Sequence, residues 1–401
     1  MSDLSFSAYE HLIGSENVDS TTDPPVLFPT SEHVLADIVR RAAEDNMKIA
    51  VRGKGTYPVS QPTENVLIVS TTSLSSVKEV NPEDFIVIAQ AGAVVDTVIE
   101  DADRYGFFIP LDIISGNEAT IGGAFMTGVV GPSAAGYGAF RDAVIGVRCV
   151  TAAGEIITGG GRTAKNVTGY DITRFLSGTM GLFAIVSDLT IKVLPVPESR
   201  SVVVASFHHG EKFFRALKKI VSKIRNVTMV ELMAPDGIGG EITLGVGIDG
   251  MEAITRRSRD TVKETLIGAG ALNICEEKRE NFMELRRKAG RNMVSSGFFT
   301  VSVPPSSSDV LLEKMCMVSD TMPVLAHPAI GRFHAVCSDE AKINTISEIS
   351  LALGGKQPVQ WSRLKKEGIA HLFTKSELEI TRTLKRELDP SNIFNPHFHL
   401  T

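Results

Sequence analysis

Two glycine-rich segments in the N-terminal half could bind phosphate through the backbone. The first, Val51-Arg52-Gly53-Lys54-Gly55-Thr56, follows a short apolar run, so a strand is expected to end in a loop there. Glycines at such a point let consecutive N–H groups face one concavity, which binds phosphate. The spacing matches neither GxGxxG nor GxxxxGK[ST], which argues against a Rossmann fingerprint or a P-loop. Taken alone, the segment is also explained by a tight turn.

The second segment extends from Gly116 to Gly181. Glycine recurs there at 116, 122, 123, 128, 131, 136, 138 and 146. This density is incompatible with a solid hydrophobic core. It predicts either backbone that something approaches closely or many tight turns.

The elements around these segments follow from apolar periodicity. Ser31 is a candidate N-cap for a helix over 34–43. The other expected elements of this half are strands over 49–52, 66–70, 85–89 and 189–194 and a helix over 94–105. After Pro195 and Pro197, strands such as 202–207 alternate with helices such as 211–224, which predicts a second, α+β domain.

Composition excludes some functions. The 401 residues suit two domains, and a formal charge of -6 without a basic face disfavours a nucleic-acid partner. The cysteines Cys149, Cys275, Cys316 and Cys337 form no CxxC pair, so neither a zinc knuckle nor an iron–sulfur cluster is expected. Neither a signal peptide nor a run of about 18 apolar residues is found. We therefore expect a cytoplasmic protein that reaches a membrane only through partners.

An ordered set of motifs carries a family resemblance. The motifs are ATIGGA at 119–124, Thr127-Gly128, Tyr137-Gly138, Arg141-Asp142, Gly161-Arg162, KNVTGYD at 165–171 and LDPSNIFNP at 388–396. Their order resembles the FAD-binding domain of the vanillyl-alcohol oxidase and p-cresol methylhydroxylase (PCMH) superfamily, and more narrowly the glycolate oxidase FAD-binding subunits. The resemblance implies an α+β fold with a two-subdomain PCMH-type FAD-binding domain at 26–197. It also implies an α+β cap (substrate) domain with an antiparallel sheet at 198–385 and a C-terminal segment, 386–401, that returns to the FAD domain.

The same resemblance implies a non-covalent FAD site. Covalent members carry a histidine near the first glycine loop, and Thr56-Tyr57-Pro58 has none. The loop 52–57 would take the pyrophosphate, and amides at Gly53, Gly55, Gly122 and Gly123 would converge on the phosphates and the ring system. The residues assigned to FAD are Arg52, Gly53, Lys54, Gly55, Thr56, Tyr57, Thr120, Ile121, Gly122, Gly123, Thr127, Gly128, Tyr137, Gly138, Arg141, Asp142, Lys165, Asn166, Gly169, Tyr170, Asp171, Gly178, Gly181, Ile185 and Asn395.

Three positions depart from the family pattern. Met180 stands where an acidic residue is usual, Ala184 where glycine is usual, and His397 where glycine follows Pro396. These changes affect the expected local contacts and leave the expected fold unchanged.

The resemblance also assigns catalytic candidates, namely His327, His334 and Arg286. The two histidines are similar to a metal-binding pair in 2-hydroxy acid dehydrogenases, and Arg286 to an arginine that binds the substrate carboxylate. The glutamate-histidine-glycine motif that completes the metal site is missing after Gly354-Gly355, so no metal is expected. The alternatives are polar histidines beside a loop and, for Arg286, a solvated helix face in the charged run 276–291.

Three hypotheses about function remain open. The first is an FAD-binding subunit of a glycolate-oxidase-type 2-hydroxy acid oxidoreductase complex, which passes electrons through FAD beside a catalytic flavoprotein subunit and an iron–sulfur subunit. The second is a self-sufficient FAD-dependent dehydrogenase for glycolate, D-lactate or a related D-2-hydroxy acid, with a base such as His334. The third is a subunit that binds FAD for assembly alone.

Overall fold

The structure of the protein, a computed structural model, describes residues 3–56, 65–114, 116, 118–162, 170–208, 211–224, 226–356, 358–360 and 373–398. Its helices in the N-terminal half are α1 (Asp3–Ile13), α2 (Glu32–Glu44), α3 (Val95–Asp103), α4 (Ile121–Met126), α5 (Ala134–Tyr137), α6 (Phe140–Ala143) and α7 (Ile172–Leu176). Those that follow are α8 (Glu211–Lys223), α9 (Glu252–Gly268), α10 (Arg279–Ser296), α11 (Ser308–Val318), α12 (Glu340–Ala352) and α13 (Lys375–Leu388). No helix among the described residues is long and apolar enough to cross a membrane.

The first sheet is four-stranded, in the order β1-β2-β4-β3. Its strands are β1 (Val18–Asp19), β2 (Val26–Leu27), β3 (Lys48–Arg52) and β4 (Val66–Ser70). The side chain of Ser31 accepts a hydrogen bond from the Val34 N–H, as expected of an N-cap. Helix α2 then buries Leu35, Ile38, Val39 and Ala42 on one face against this sheet. The expected helix and the strand over 66–70 are confirmed.

The second sheet of the N-terminal half is five-stranded and antiparallel, in the order β5-β6-β10-β8-β9. Its strands are β5 (Val77–Asn81), β6 (Ile86–Gln90), β8 (Val144–Thr151), β9 (Ile156–Gly160) and β10 (Ala184–Lys192). A small sheet joins β7 (Phe107–Phe108) to β11 (Leu194–Pro195). The glycine-rich segment around α4 lies between the four-stranded and five-stranded sheets and contacts both the end of β3 and the start of α3.

An antiparallel eight-stranded sheet forms the centre of the C-terminal half. Its order is β15-β12-β14-β13-β17-β18-β16-β19. The strands are β12 (Ser199–His208), β13 (Val227–Ala234), β14 (Glu241–Gly250), β15 (Asn273–Lys278), β16 (Phe299–Ser302), β17 (Val324–His327), β18 (Arg332–Ala335) and β19 (Val359–Gln360). Helices α8, α9, α11 and α12 share one core with one face of the sheet. The expected α+β class with an antiparallel sheet in this half is confirmed.

The opposite face of this sheet points towards the N-terminal half. Val202, Met233 and Leu325 of this face belong to the same core as residues of the five-stranded sheet. Helix α10 lies on this face at Gly245, where a Cβ atom would be only 2.2 Å from Phe282 Cζ. The boundaries 26–197 and 198–385 remain predictions, because sheet membership alone does not define domains.

The C-terminal segment returns to the first sheet. The Ile49 N–H donates to the Ile393 carbonyl (2.7 Å), and the Asn395 N–H donates to the Ile49 carbonyl (2.7 Å). This pairing places Phe394 parallel to Ile49 at the free edge of β3. The last described residues therefore complete the sheet that leads into the first glycine loop.

Candidate active site

The first glycine loop presents unused backbone donors. Strand β3 ends at Arg52, and no described residue accepts a hydrogen bond from the N–H of Gly53, Lys54, Gly55 or Thr56. Gly55 has a φ of +69°, and a Cβ placed on it would meet nothing within 4 Å. N–H groups that have no partner among the described residues, next to the open space at Gly55, fit the oxygen atoms of a pyrophosphate, so the loop suits the group expected of it.

The second glycine segment packs beside this loop. A Cβ on Gly53 would lie 2.1 Å from Thr120 Oγ1, so the two segments touch. The amides of Gly122 and Gly123, which are expected to converge on the phosphates and the ring system, already have partners within the protein. The Gly122 N–H donates to the Ala91 carbonyl (2.8 Å), and the Gly123 N–H donates to Thr120 Oγ1 (3.1 Å). Glycine is needed at 122 because a Cβ would approach Ala91 Cβ to 2.6 Å.

Further assigned residues gather near the start of β10. A Cβ on Gly128 would be 3.1 Å from Gly178 Cα, and one on Gly181 would be 2.7 Å from Asn395 Nδ2. The Asn395 side chain accepts the Val51 N–H (2.8 Å) and donates to the Met180 carbonyl (2.7 Å). Asn395 thus connects the end of β3 to the turn before β10.

Other assigned residues have different contacts. The Tyr137 hydroxyl donates to Asp249 Oδ2 in the C-terminal half (2.7 Å), and Ile185 is buried in the core under the four-stranded sheet. Asp142 accepts the Ala139 N–H, and Asp171 is the N-cap of α7. Arg141 extends towards solvent, and Tyr170 is 95% exposed. Tyr57, Lys165, Asn166 and Gly169 lie outside the described residues. The set as a whole remains a prediction.

The catalytic candidates lie on the face of the eight-stranded sheet that points towards the N-terminal half. The ladder pairs Leu232 with Ala326 and His327 with Arg332, so Glu231, His327 and Arg332 form one row across three strands. His334 belongs to the same face, two residues along β18, and pairs with Thr300. Strand periodicity and register therefore bring together residues that are far apart in sequence.

Glu231 connects two of the predicted catalytic residues. Arg286 Nε donates to Glu231 Oε1 (3.0 Å), and His327 Nδ1 lies 2.5 Å from Glu231 Oε2. Arg286 also donates to the Ile113 carbonyl in the N-terminal half (2.9 Å). Arg286 and His327 are each 1% exposed. The alternative of a solvated helix face for Arg286 is therefore wrong, and the role of the two histidines stays a prediction.

Both histidines are neutral at pH 7. Burial holds the pKa of His327 well below its usual value, and the cations Arg286 and Arg332 act in the same direction. Burial, followed by His327 and Arg332, also lowers the pKa of His334. His334 Nδ1 is 2.9 Å from Thr300 Oγ1, and no described residue is hydrogen-bonded to Nε2 of either ring. Each ring therefore keeps one nitrogen available for another group.

A small cavity, about 20 Å³ in volume, lies between the two halves at this place. Its lining consists of Asp112, Ile114, Thr127, Val129 and Val130 from the N-terminal half and Arg286, Phe298, Arg332 and His334 from the C-terminal half. Thr127 belongs to the second glycine segment, so the cavity connects the predicted FAD site with the predicted catalytic residues.

Sequence reasoning missed four polar residues of this site, namely Asp112, Glu231, Thr300 and Arg332. Glu231 had a usable signal, because it is a lone carboxylate in the apolar strand sequence VTMVELMA and must find a partner if buried. Arg332 stands two residues before His334 and so shares its face in a strand. Asp112 and Thr300 offered no comparable signal. Among the described residues, no group of three or more His, Cys, Asp or Glu side chains could hold a metal ion.

Comparisons with known proteins show which families and folds the chain resembles. The model described as FAD binding domain matches residues 24–160, and the one described as FAD linked oxidases, C-terminal domain, matches residues 363–397. The chain is 25% identical to the glycolate oxidase subunit GlcD of Bacillus subtilis (strain 168), over 92% of this chain and 87% of that protein. It is 28% identical to a D-lactate dehydrogenase of Archaeoglobus fulgidus, over 50% of this chain and 45% of that protein. The solved structure of 4-ethylphenol oxidase from Gulosibacter chungangensis superposes with a TM-score of 0.75 at 13% identity, covering 98% of this chain and 96% of that one, and so shares the fold.

Proposed function

We propose that the chain is a member of the vanillyl-alcohol oxidase and p-cresol methylhydroxylase superfamily of FAD-dependent oxidoreductases and that it oxidises a small 2-hydroxy acid in the cavity between its two halves. The observation that carries this proposal is the lining of the cavity. In this lining, Arg286, Arg332 and His334 of the C-terminal half face Thr127 of the N-terminal half. Thr127 belongs to the segment that is assigned to the flavin.

The lining of the cavity carries two guanidinium groups, those of Arg286 and Arg332, against one carboxylate, that of Asp112, so its net positive charge favours a small anion. Arg332 and Arg286 both line the cavity, and a guanidinium recognises a carboxylate through two parallel hydrogen bonds. Arg286 is already bonded to Glu231 and to the Ile113 carbonyl, so its orientation is fixed. We assign the main contact with the substrate carboxylate to Arg332, because it lines the cavity beside His334 on the same face of β18.

The hydroxyl proton requires a base that is neutral at the working pH. His334 lines the cavity, its pKa is lowered, and Nδ1 is bonded to Thr300. In the tautomer in which Nδ1–H donates to Thr300 Oγ1, Nε2 is the atom that accepts the proton. FAD, when bound, supplies the two-electron acceptor. Val129, Val130 and Phe298 contribute apolar side chains to the same lining.

A second candidate function is electron transfer within a complex. The chain would then work beside a catalytic flavoprotein subunit and an iron–sulfur subunit and pass electrons to or from them through its FAD. Two observations favour this candidate. The full-length relative is called a glycolate oxidase subunit, and the glutamate-histidine-glycine motif is missing from this sequence.

Anaerobic reduction of the flavin tests the proposal. The FAD-loaded protein is mixed with glycolate, D-lactate and other 2-hydroxy acids, and bleaching of the flavin absorbance by one of them is expected. For Arg332→Met, the half-saturating acid concentration should rise by roughly 10- to 100-fold, since a charge-assisted pair is lost. The matched control Arg256→Met, on the exposed side of α9, should leave it unchanged.

The other outcomes separate the candidates. If bleaching occurs only after the natural partner subunits are added, the second candidate holds. If no 2-hydroxy acid reduces the flavin under either condition, both candidates are wrong.

A further inference from the structure

We infer that Lys385 and Asp389 are positioning residues for FAD, which act by holding the C-terminal segment 389–395 against the first glycine loop. The inference concerns cofactor binding and does not depend on which substrate the protein oxidises. It starts from a buried charge pair that the catalytic proposal does not use.

Lys385 is buried at the C-terminal end of α13, with 7% of its surface exposed. Its Nζ donates to the Leu182 carbonyl (2.7 Å), the Phe394 carbonyl (2.7 Å) and Asp389 Oδ2 (2.6 Å). An ammonium group has three donors, and all three are used here. Lys385 therefore ties α13 to the residues before β10 and to the C-terminal segment.

Asp389 fixes the shape of that segment. Its Oδ1 accepts the Ile393 N–H (2.8 Å), and its Oδ2 accepts the Phe394 N–H (2.9 Å). Asp389 is 1% exposed, and Phe394 is fully buried. The carboxylate thus closes a compact turn that delivers Asn395 to the edge of β3.

Asn395 transmits this position to the loop. Along the free edge of β3, the Ile49 N–H bonds to Ile393 and the Val51 N–H bonds to Asn395 Oδ1. Alternate residues of a strand direct their N–H groups to the same side, so the next donor on this edge is that of Gly53. Gly53 is the first of the four loop residues whose N–H groups have no acceptor within the part of the chain that the structure describes.

A second contact fixes the opposite side of Asn395. Its Nδ2 donates to the carbonyl of Met180, a residue with a φ of +53°. A non-glycine residue holds such a backbone conformation only when its surroundings enforce it. Asn395 therefore sits between the end of β3 and a constrained turn, and a small shift of the segment would move the loop amides.

The type of interaction also favours a positioning role. Burying an ion pair costs desolvation energy, and apolar residues of similar volume often give a fold that is at least as stable. The pair instead fixes the position of the turn, because the five hydrogen bonds of Lys385 and Asp389 tie the turn to α13 and to the Leu182 carbonyl. Preorganised amides bind an anion more tightly than mobile ones.

The test is a titration of apoprotein with FAD, without any substrate. Lys385→Met and Asp389→Asn should each raise the Kd for FAD at least tenfold. ADP carries the same pyrophosphate, and its Kd, measured by competition with FAD, should rise by a similar factor. The matched control Arg386→Met changes an exposed residue next to Lys385 and should stay within twofold of the unchanged protein. Thermal unfolding of each apoprotein is recorded in parallel.

The titration distinguishes positioning from general stabilisation. A Kd that rises in a variant with near-normal unfolding of the apoprotein supports the inference, as does partial recovery in Lys385→Arg. An unchanged Kd in folded Lys385→Met and Asp389→Asn overturns it. If neither variant folds, the pair is a determinant of folding and the inference is also overturned. Failure of 2-hydroxy acid oxidation would leave these results unaffected.

Discussion

At the scale of single residues, the buried charged groups of this site shift one another's pKa values. Burial raises the pKa of Glu231 to about 8, although Arg286 opposes the change. Burial alone would raise the pKa of Asp112, but the charges of Arg286 and Arg279 bring it below its usual value. The site thus combines neutral imidazoles with fixed cations, which suits proton transfer from a bound anion.

The lowered histidine pKa values predict a pH dependence of stability. Their folded pKa values lie below the unfolded value of about 6.5, so the unfolded chain binds protons first as the pH falls. Each histidine therefore removes up to about 1.4 kcal/mol of unfolding free energy per pH unit below about pH 6.5. Urea unfolding at several pH values gives the slope of the unfolding free energy against pH. In His334→Asn this slope should be smaller by up to about 1.4 kcal/mol per pH unit below about pH 6.5.

The control for this prediction is His33→Asn, which changes an exposed histidine on α2. It should leave the slope as it is. Equal slopes in His334→Asn and the unchanged protein between pH 5 and 6.5 would show that His334 titrates normally when folded.

At the scale of elements, the position of α10 depends on two residues without side chains in the eight-stranded sheet, Gly245 and Gly247. Phe282 occupies the space above Gly245, and Arg279 lies above Gly247, where a Cβ would be 3.1 Å from its Nη1. Helix α10 carries both Arg286 and Arg279, so its distance from the sheet decides whether they reach Glu231 and Asp249. Small residues in the sheet therefore position charged residues on the helix.

Gly245→Ala should lower the unfolding free energy by about 1–3 kcal/mol, because the added methyl group overlaps the Phe282 ring. Denaturant unfolding measures the change. Gly268→Ala is the matched control, since a Cβ there meets nothing within 4 Å at the end of α9, and it should be neutral or slightly stabilising. Similar destabilisation by both changes would contradict the packing argument.

Local elements could be predicted from the sequence better than the contacts between them. The Ser31 cap and the apolar face of α2 follow from short-range patterns, as does the strand over 66–70. Strand register could not be predicted, and it alone places Glu231 beside His327, 96 residues away. For Gly122, the glycine density correctly predicted that something approaches the backbone closely. The resemblance assigned this contact to FAD, whereas in the structure Ala91 makes it. A ligand and a packed backbone both require a residue without a side chain, so glycine alone does not distinguish them.

At the scale of the whole molecule, a buried polar network joins the two halves. Arg279 donates to Asp249 Oδ2 (2.9 Å) and, across the interface, to Ser133 Oγ (2.6 Å). Asp249 also accepts the Tyr137 hydroxyl, and the Ser133 N–H bonds to Asp112 (2.8 Å). The network ends at the cavity, since Asp112 belongs to its lining. The network therefore fixes the distance between the two halves, and the cavity depends on that distance.

Arg279→Met should cost about 3–5 kcal/mol of unfolding free energy, because Asp249 would remain buried without its cation. Tyr137→Phe removes one hydrogen bond and should cost about 0.5–1.5 kcal/mol. Denaturant unfolding and limited proteolysis between the halves report both effects. The exposed change Arg256→Met serves as control, and a cost in Arg279→Met no larger than in this control would show that the network does not hold the halves together.

The pairing of β3 with Asn395 also bears on protein synthesis. Val51 emerges from the ribosome 344 residues before its partner. At about 5–20 residues per second, that interval lasts on the order of 17–70 s. During this time the edge of β3 lacks its final neighbour, so a nascent chain cannot complete the nucleotide pocket. If the segment 389–395 positions the first glycine loop as inferred above, tight flavin binding is expected only after Asn395 has been translated.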